Sequence, residues 1–203
     1  CYGLNFYNHI NMPTFINLGK IPSSPLERQE LLAKKVERED YYSLLGITYI
    51  QKMIIDFLIS KKGYTKNDLD INREFTVELS DASFIAKADI AVKIEDKIFI
   101  IIKCVMNSLE SWERYSLSFC RVVEPYQIPY AVITDGESTR MLNVLTGEIL
   151  SDGLDLIPSR EDVKDMIKQN IFTPYNKEKC EKEKRILYAF DAIKCSVNLK
   201  KSD

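Results

Sequence analysis

The stretch AKADIAVKIEDKIFIIIKCV, residues 86–105, decides how this chain is read. Two apolar runs, Ala86 to Ile94 and Lys97 to Val105, meet at Glu95-Asp96. A two-residue polar connection between β-branched runs is the signal of a tight hairpin. The second run is apolar almost throughout, which makes a lysine within it conspicuous. Among the charges that interrupt the pair are Asp89 and Lys103. Side chains alternate along a strand, so Lys103 projects from the same face as Ile101.

Upstream, Arg73 to Leu79 sets Phe75, Val77 and Leu79 against Glu74, Thr76 and Glu78, the period of a half-buried strand. The three strands are expected to form an antiparallel meander. Before them, Ile47, Ile50, Ile54, Ile55 and Leu58 recur at helical spacing and stop at Lys61-Lys62-Gly63, which predicts a helix over Gly46 to Lys62. A separate charged helix is expected from Pro25 to about Glu39. Residues 1–24 have no regular period and read as an irregular aromatic-rich arm.

Downstream, Trp112, Tyr115, Phe119 and Val122 predict a helix over Ser111 to Glu124, ended by Pro125. Residues Pro129 to Thr134 read as a short buried strand, and Met141 to Leu145 with Glu148 to Leu150 as an edge hairpin about Thr146-Gly147. Ser159 and Asp162 have capping-box spacing at the start of a helix running to Asn170, and a last helix covers about Asn176 to Cys195 before a fraying tail. The fold expected is α/β, a central mixed sheet flanked by helices. One body over 25–157 carries a helical extension, 158–203, packed on it.

Composition narrows the classes. Of 203 residues 45% are hydrophobic and 29% charged, the balance of a globular domain rather than a disordered chain. Lys and Arg number 28 against 30 Asp and Glu, so no overall positive field advertises nucleic acid, and a local basic groove would be needed. No apolar run approaches the roughly 20 residues of a membrane span. No secretory signal is visible, and a cytoplasmic location is expected. The five cysteines form no CxxC and there is one histidine, which argues against zinc; Cys104 and Cys120 read as small hydrophobes. No G-x-x-x-x-G-K-[ST] phosphate loop occurs.

Metal-assisted phosphodiester cleavage needs carboxylates on Mg²⁺ and a cation near the attacking water or the phosphate, and a hairpin supplies such a set. Asp89 on one strand and residues 101 and 103 on the next give the order D, then (D/E)-x-K, with Ile101 in the acidic place. Ala88-Asp89-Ile90-Ala91-Val92, the run Lys97 to Lys103, the preceding helix ending in Lys62-Gly63-Tyr64 and the following Ile133-Thr134-Asp135-Gly136 resemble the N-terminal domain of type I restriction enzyme R subunits, over about Gly46 to Gly136. The resemblance implies the restriction-endonuclease-like fold of the PD-(D/E)XK superfamily and Mg²⁺-dependent cleavage of DNA. It makes Asp89 the metal-binding aspartate and Lys103 the catalytic lysine.

Three departures accompany it. An alkyl group cannot ligate a hard cation, so Ile101 removes a ligand and a counterion for Lys103. Thr48 and Tyr49 stand where relatives often carry a helix glutamate, and no Gln-x-x-x-Tyr follows the lysine. Candidate substitute acids are Glu74 and Glu78, with Glu39 and Asp40 before the second helix. Arg114 and Arg121, seven apart on one helix face, are candidate phosphate contacts. Lys177 to Arg185 alternates in sign and reads as a helix of i,i+4 ion pairs. Three readings stand: an active Mg²⁺ nuclease on DNA, a catalytically silent module that binds nucleic acid or a protein partner, and a structural sheet of a homo-oligomer whose arm drapes over a neighbour.

Overall fold

A computed structural model describes residues 24–106, 108–168 and 172–195, without the side chains of 28–29, 31–44, 151 and 191–195. The arm before Ser24 and the tail after Cys195 lie outside the described residues. The chain divides between Tyr42 and Ser43 into two compact units. In the first unit the described backbone from Pro25 onward is helical.

Helix α1 spans Pro25–Lys62, so the two helices expected over 25–39 and 46–62 are one. The intervening Asp40 to Leu45 contains no Pro or Gly, and nothing there stops the backbone ladder. Gly46 is tolerated inside the helix because the Met106 side chain presses on it. A Cβ there would sit 2.5 Å from the Met106 sulfur. Gly63, at φ +74°, takes the left-handed cap that ends α1.

Eight strands follow among the described residues. They are β1 (Leu69–Ile71), β2 (Glu74–Glu78), β3 (Ser83–Lys87), β4 (Ile90–Ile94), β5 (Lys97–Cys104), β6 (Tyr130–Thr134), β7 (Thr139–Asn143) and β8 (Ile149–Asp152). Helix α2 (Glu110–Val122) joins β5 to β6, and α3 (Arg160–Ile167) and α4 (Lys177–Cys195) follow β8. The central sheet has the order β1-β4-β5-β6-β7-β8, and only its β5–β6 pairing is parallel. Strands β2 and β3 form a separate two-stranded ribbon.

The expected meander is therefore corrected. The run from Ala86 to Ile94 is two strands in two sheets, broken at Ala88-Asp89, where the chain leaves the ribbon and enters the central sheet. The hairpin itself is as expected. Glu95 and Asp96 have φ of 51° and 62°, the double left-handed signature of a type I′ turn that matches strand twist.

Two apolar layers sandwich the sheet. On one face Ile90, Val92, Ile100, Ile102 and Val132 pack under Ile50, Ile54 and Leu58 of α1 and Val163 of α3. On the other, Ala91, Ile101, Ala131 and Ile133 pack under Tyr115, Phe119 and Cys120 of α2, with Phe75 and Val77 of the ribbon and Leu187 of α4. This is a mixed α/β architecture, a mostly antiparallel six-stranded sheet flanked by helices, and it is compatible with a nuclease-like fold. Cys104 and Cys120 are buried thiols packed as hydrophobes. No helix among the described residues is long and apolar enough to cross a membrane.

Candidate functional site

The β4–β5 register brings the two expected residues together. Ile90 pairs with Ile102 and Ala91 with Ile101, so Asp89, one residue before β4, stands beside Lys103. Lys103 Nζ lies 2.8 Å from Asp89 Oδ2, and both side chains are 12% exposed. The Cys104 backbone N–H donates to the same oxygen at 2.8 Å. The ammonium also sits 5.3 Å from the Trp112 ring centre and 5.9 Å from that of Tyr115, within cation–π reach of two faces of α2. Burial pushes the Cys104 thiol up to about 12, and the Asp89 charge beside it adds to this.

The Asp89 backbone is held as firmly as its side chain. Its carbonyl accepts the Gln51 amide of α1 at 2.6 Å and the Asn72 N–H at 3.0 Å. Gln51, 7% exposed, also donates to Asn72 Oδ1 at 3.3 Å. Gln51 was missed in the sequence although a signal existed: it is a polar residue inside the apolar stripe Ile47, Ile50, Ile54. Thr48 and Tyr49 face outward instead, Tyr49 being 70% exposed.

Ile101 is 4% exposed and lies in register between Ala91 of β4 and Ala131 of β6, a large side chain filling the space two small ones leave. Its side chain belongs to the core, beneath α2. Glu74 and Glu78 are exposed on the ribbon, opposite Lys87 and Ser83 rather than on the sheet that carries Asp89. Glu39 and Asp40 lie within α1, outside the side chains described. Among the described residues no group of three or more His, Cys, Asp or Glu side chains is placed to hold a metal ion. The donor set does not fit Mg²⁺. It offers one carboxylate, with one oxygen already accepting two hydrogen bonds, and an alkyl group where a second carboxylate would be needed.

The same row continues across the sheet. Lys103 pairs with Ile133, Ile133 with Arg140, and Arg140 with Asp152. Arg140 is bound by Glu113 and, at 3.1 Å, by Glu110 of α2, with Asp152 at 3.6 Å. A cleft of about 600 Å³ opens here, lined by Glu110, Asp135, Glu137 and Asp152, with Arg140 the one basic group in its wall among the described residues. Asp89 and Lys103 are not in that wall. Such an acidic mouth repels a polyanion.

Arg114 and Arg121 point to α4. Arg114 Nη1 lies 2.6 Å from Glu183 Oε2 and Arg121 Nη1 3.2 Å from Oε1. Ser118 and Tyr175 donate their hydroxyls to the same carboxylate at 2.8 and 3.0 Å. Burial works to raise the Glu183 carboxyl, and the hydrogen bonds and charge of Arg114 outweigh it, holding the group below its ordinary range. The alternating signs of Lys177 to Arg185 predict a run of surface ion pairs that includes Glu183. Its neighbours do behave so, as in Glu181 with Arg185 at 3.1 Å, but Glu183 turns inward and is 4% exposed.

No curated protein and no solved structure gives a significant match to the chain. A family model does, that of the type I restriction enzyme R protein N terminus, over residues 48–158. The matched segment is more than half of the chain and holds Gln51, the Asp89–Lys103 pair, the whole central sheet and α2. By that match, on the order of elements described above, the chain belongs to the type I restriction enzyme R protein N-terminus family.

Proposed function

We propose that this chain is a nuclease-fold module, of PD-(D/E)XK descent, that has lost phosphodiester cleavage and acts by binding DNA within an assembly of the type I restriction kind. The observation that carries the reading is Ile101. Its side chain fills a slot between two alanines under α2, so the position that would carry a metal-binding acid has become core. With that acid gone, Lys103 is neutralised by Asp89 and covered by Trp112 and Tyr115, which makes the pair a rivet between hairpin and helix. Family membership supports DNA and partner subunits as the context.

The test is calorimetric titration with Mg²⁺ and Mn²⁺ of the wild type and Asp89→Ala, beside a nicking assay and anisotropy with a labelled duplex. Expected are salt-sensitive DNA binding, no Asp89-dependent metal binding and no nicks. Stoichiometric metal binding lost in Asp89→Ala, with Mg²⁺-dependent nicking lost in the same variant, would overturn it.

One observation favours the rival, an active Mg²⁺-dependent nuclease. Asp89 and Lys103 are both retained and meet at 2.8 Å on adjacent strands. That reading needs a carboxylate from another element to reach Asp89 when DNA is bound, with Glu74 and Glu78 of the ribbon as the candidates. Cleavage that survives Glu74→Gln and Glu78→Gln singly and together would remove those two from the role.

A further inference from the structure

We propose that Glu183 is an internal stand-in for a backbone phosphate of nucleic acid, seated in a cradle on α2, and that α4 is the strap that withdraws it when nucleic acid binds. The inference rests on the reading of the chain as a DNA-binding module and says where the phosphate goes. The cradle consists of Arg114, Ser118 and Arg121, spaced four and three residues apart on one face of α2, with Tyr175 closing it from the segment before α4. Two guanidinia and two hydroxyls converging on one anionic group is the chemistry that recognises a phosphate.

The carboxylate does not exhaust that chemistry. Its two oxygens each accept two donors: Oε1 from Arg121 and Tyr175, Oε2 from Arg114 and Ser118. Arg121 Nε, fully buried, still has no hydrogen-bond partner among the described residues. A phosphodiester brings a further oxygen and a more diffuse charge to the same donors. Arg114 is 41% exposed, so one wall of the cradle already faces solvent.

The strap is suited to release. In α4 the described side chains give one fully buried apolar residue, Leu187, with Ile186 and Phe190 half-buried, Phe190 against the rings of Trp112 and Tyr115. Tyr188 sets its ring 5.3 Å from that of Phe84 on β3, and the remaining ties are polar and exposed: Lys184 to the Glu78 carbonyl, Arg185 to Asp81, and Glu181 to Ser80. Such ties contribute little each and weaken further with salt. The acidic cleft at the other end of α2 disfavours DNA, so the α4-facing side of this helix is where a polyanion meets the two arginines once Glu183 leaves.

The experiment uses the full chain and a labelled 20-bp duplex, comparing wild type, Glu183→Gln, and Glu183→Gln with Arg114→Ala. Circular dichroism establishes that each is folded. Glu183→Gln keeps the shape of the side chain and removes its charge. It is expected to bind about tenfold or more tighter at moderate salt, with a slope of log K against log salt steeper by one to two phosphate contacts. Adding Arg114→Ala should return both to the wild-type values. In the wild type, saturating duplex should speed amide exchange in 177–190 while α2 stays protected. The inference fails if folded Glu183→Gln binds as the wild type does with the same slope, or if duplex leaves α4 exchange unchanged. It also fails, together with the broader DNA-binding reading, if neither wild type nor Glu183→Gln binds at all. Wild-type binding with no gain in Glu183→Gln sinks the inference alone.

Discussion

The Asp89–Lys103 pair carries a quantitative consequence. Asp89→Ala removes the acceptor of the Cys104 N–H, which is left unpaired in the core at a cost of about 1–3 kcal/mol. It also strands an ammonium that is 12% exposed, and breaking a buried pair from one side costs about 3–5 kcal/mol. The aromatic faces of Trp112 and Tyr115 return about 1 kcal/mol. The net loss expected is about 4 kcal/mol, a fall of roughly 2 M in urea midpoint at a slope of about 2 kcal/mol per M. Lys103→Met should cost less, about 2 kcal/mol, because Asp89 keeps the Cys104 N–H and methionine fills the stem's place beside the rings. The double variant should lose about 3 kcal/mol, so the cycle yields a coupling of about 3 kcal/mol. Urea unfolding followed by tryptophan fluorescence measures all four corners. A coupling below about 0.5 kcal/mol would mean that the two charges are solvated independently, and the rivet reading would be wrong.

Three further outcomes are expected. Ile101→Glu, which puts a carboxyl between Ala91 and Ala131, should cost about 3 kcal/mol or more at pH 8, and a urea midpoint raised by Mg²⁺ in this variant alone would show that the acid rebuilds a metal site. The Asp68 carboxyl is opposed by burial yet held at about 2, below its ordinary 3.8, by hydrogen bonds from Arg160 and Thr65. Its contribution is thus fully present above about pH 4 and lost as pH falls through 2, on the order of 2 kcal/mol before solvent screening. Asp68→Asn should flatten that limb of the acid-unfolding curve, and an unchanged limb would refute the assignment. Native alkylation mapped by peptide should label Cys180 and spare Cys104 and Cys120, whose burial raises both thiols; early modification of Cys120 would contradict the packing of α2.

What the sequence disclosed follows from which forces are local. The hairpin from Ile90 to Cys104 was legible because two apolar runs and a two-residue polar turn agree there. The capping box at Ser159 and Asp162 was legible for the same reason, and both hydrogen bonds form. The switch of sheets at Ala88-Asp89 was not, since the ribbon and the sheet differ only in what they pair with, and pairing is non-local. The strand Leu69–Ile71 is too short to show a period. In the site, Asp89 and Lys103 were found by their oddity in an apolar context. Glu183 stayed hidden because its partners are Arg114 and Arg121 on a helix some sixty residues away, as the 62-residue separation from Arg121 shows.

The row Asp89, Lys103, Ile133, Arg140, Asp152 runs minus, plus, neutral, plus, minus across four strands and the residue that leads into a fifth. Strands as uniformly apolar as β5, Ile-Phe-Ile-Ile-Ile, carry little information about how they should align, since any offset buries comparable oil. The charges supply it. Sliding β5 by one position would drive Lys103 into the apolar layer under α1, while Asp89 would face Ile102 or Cys104. The row thus works as a proofreading device during assembly of the sheet, penalising each misalignment that its greasy neighbours would accept. The Asp89–Lys103 pair has reason to persist on those grounds alone.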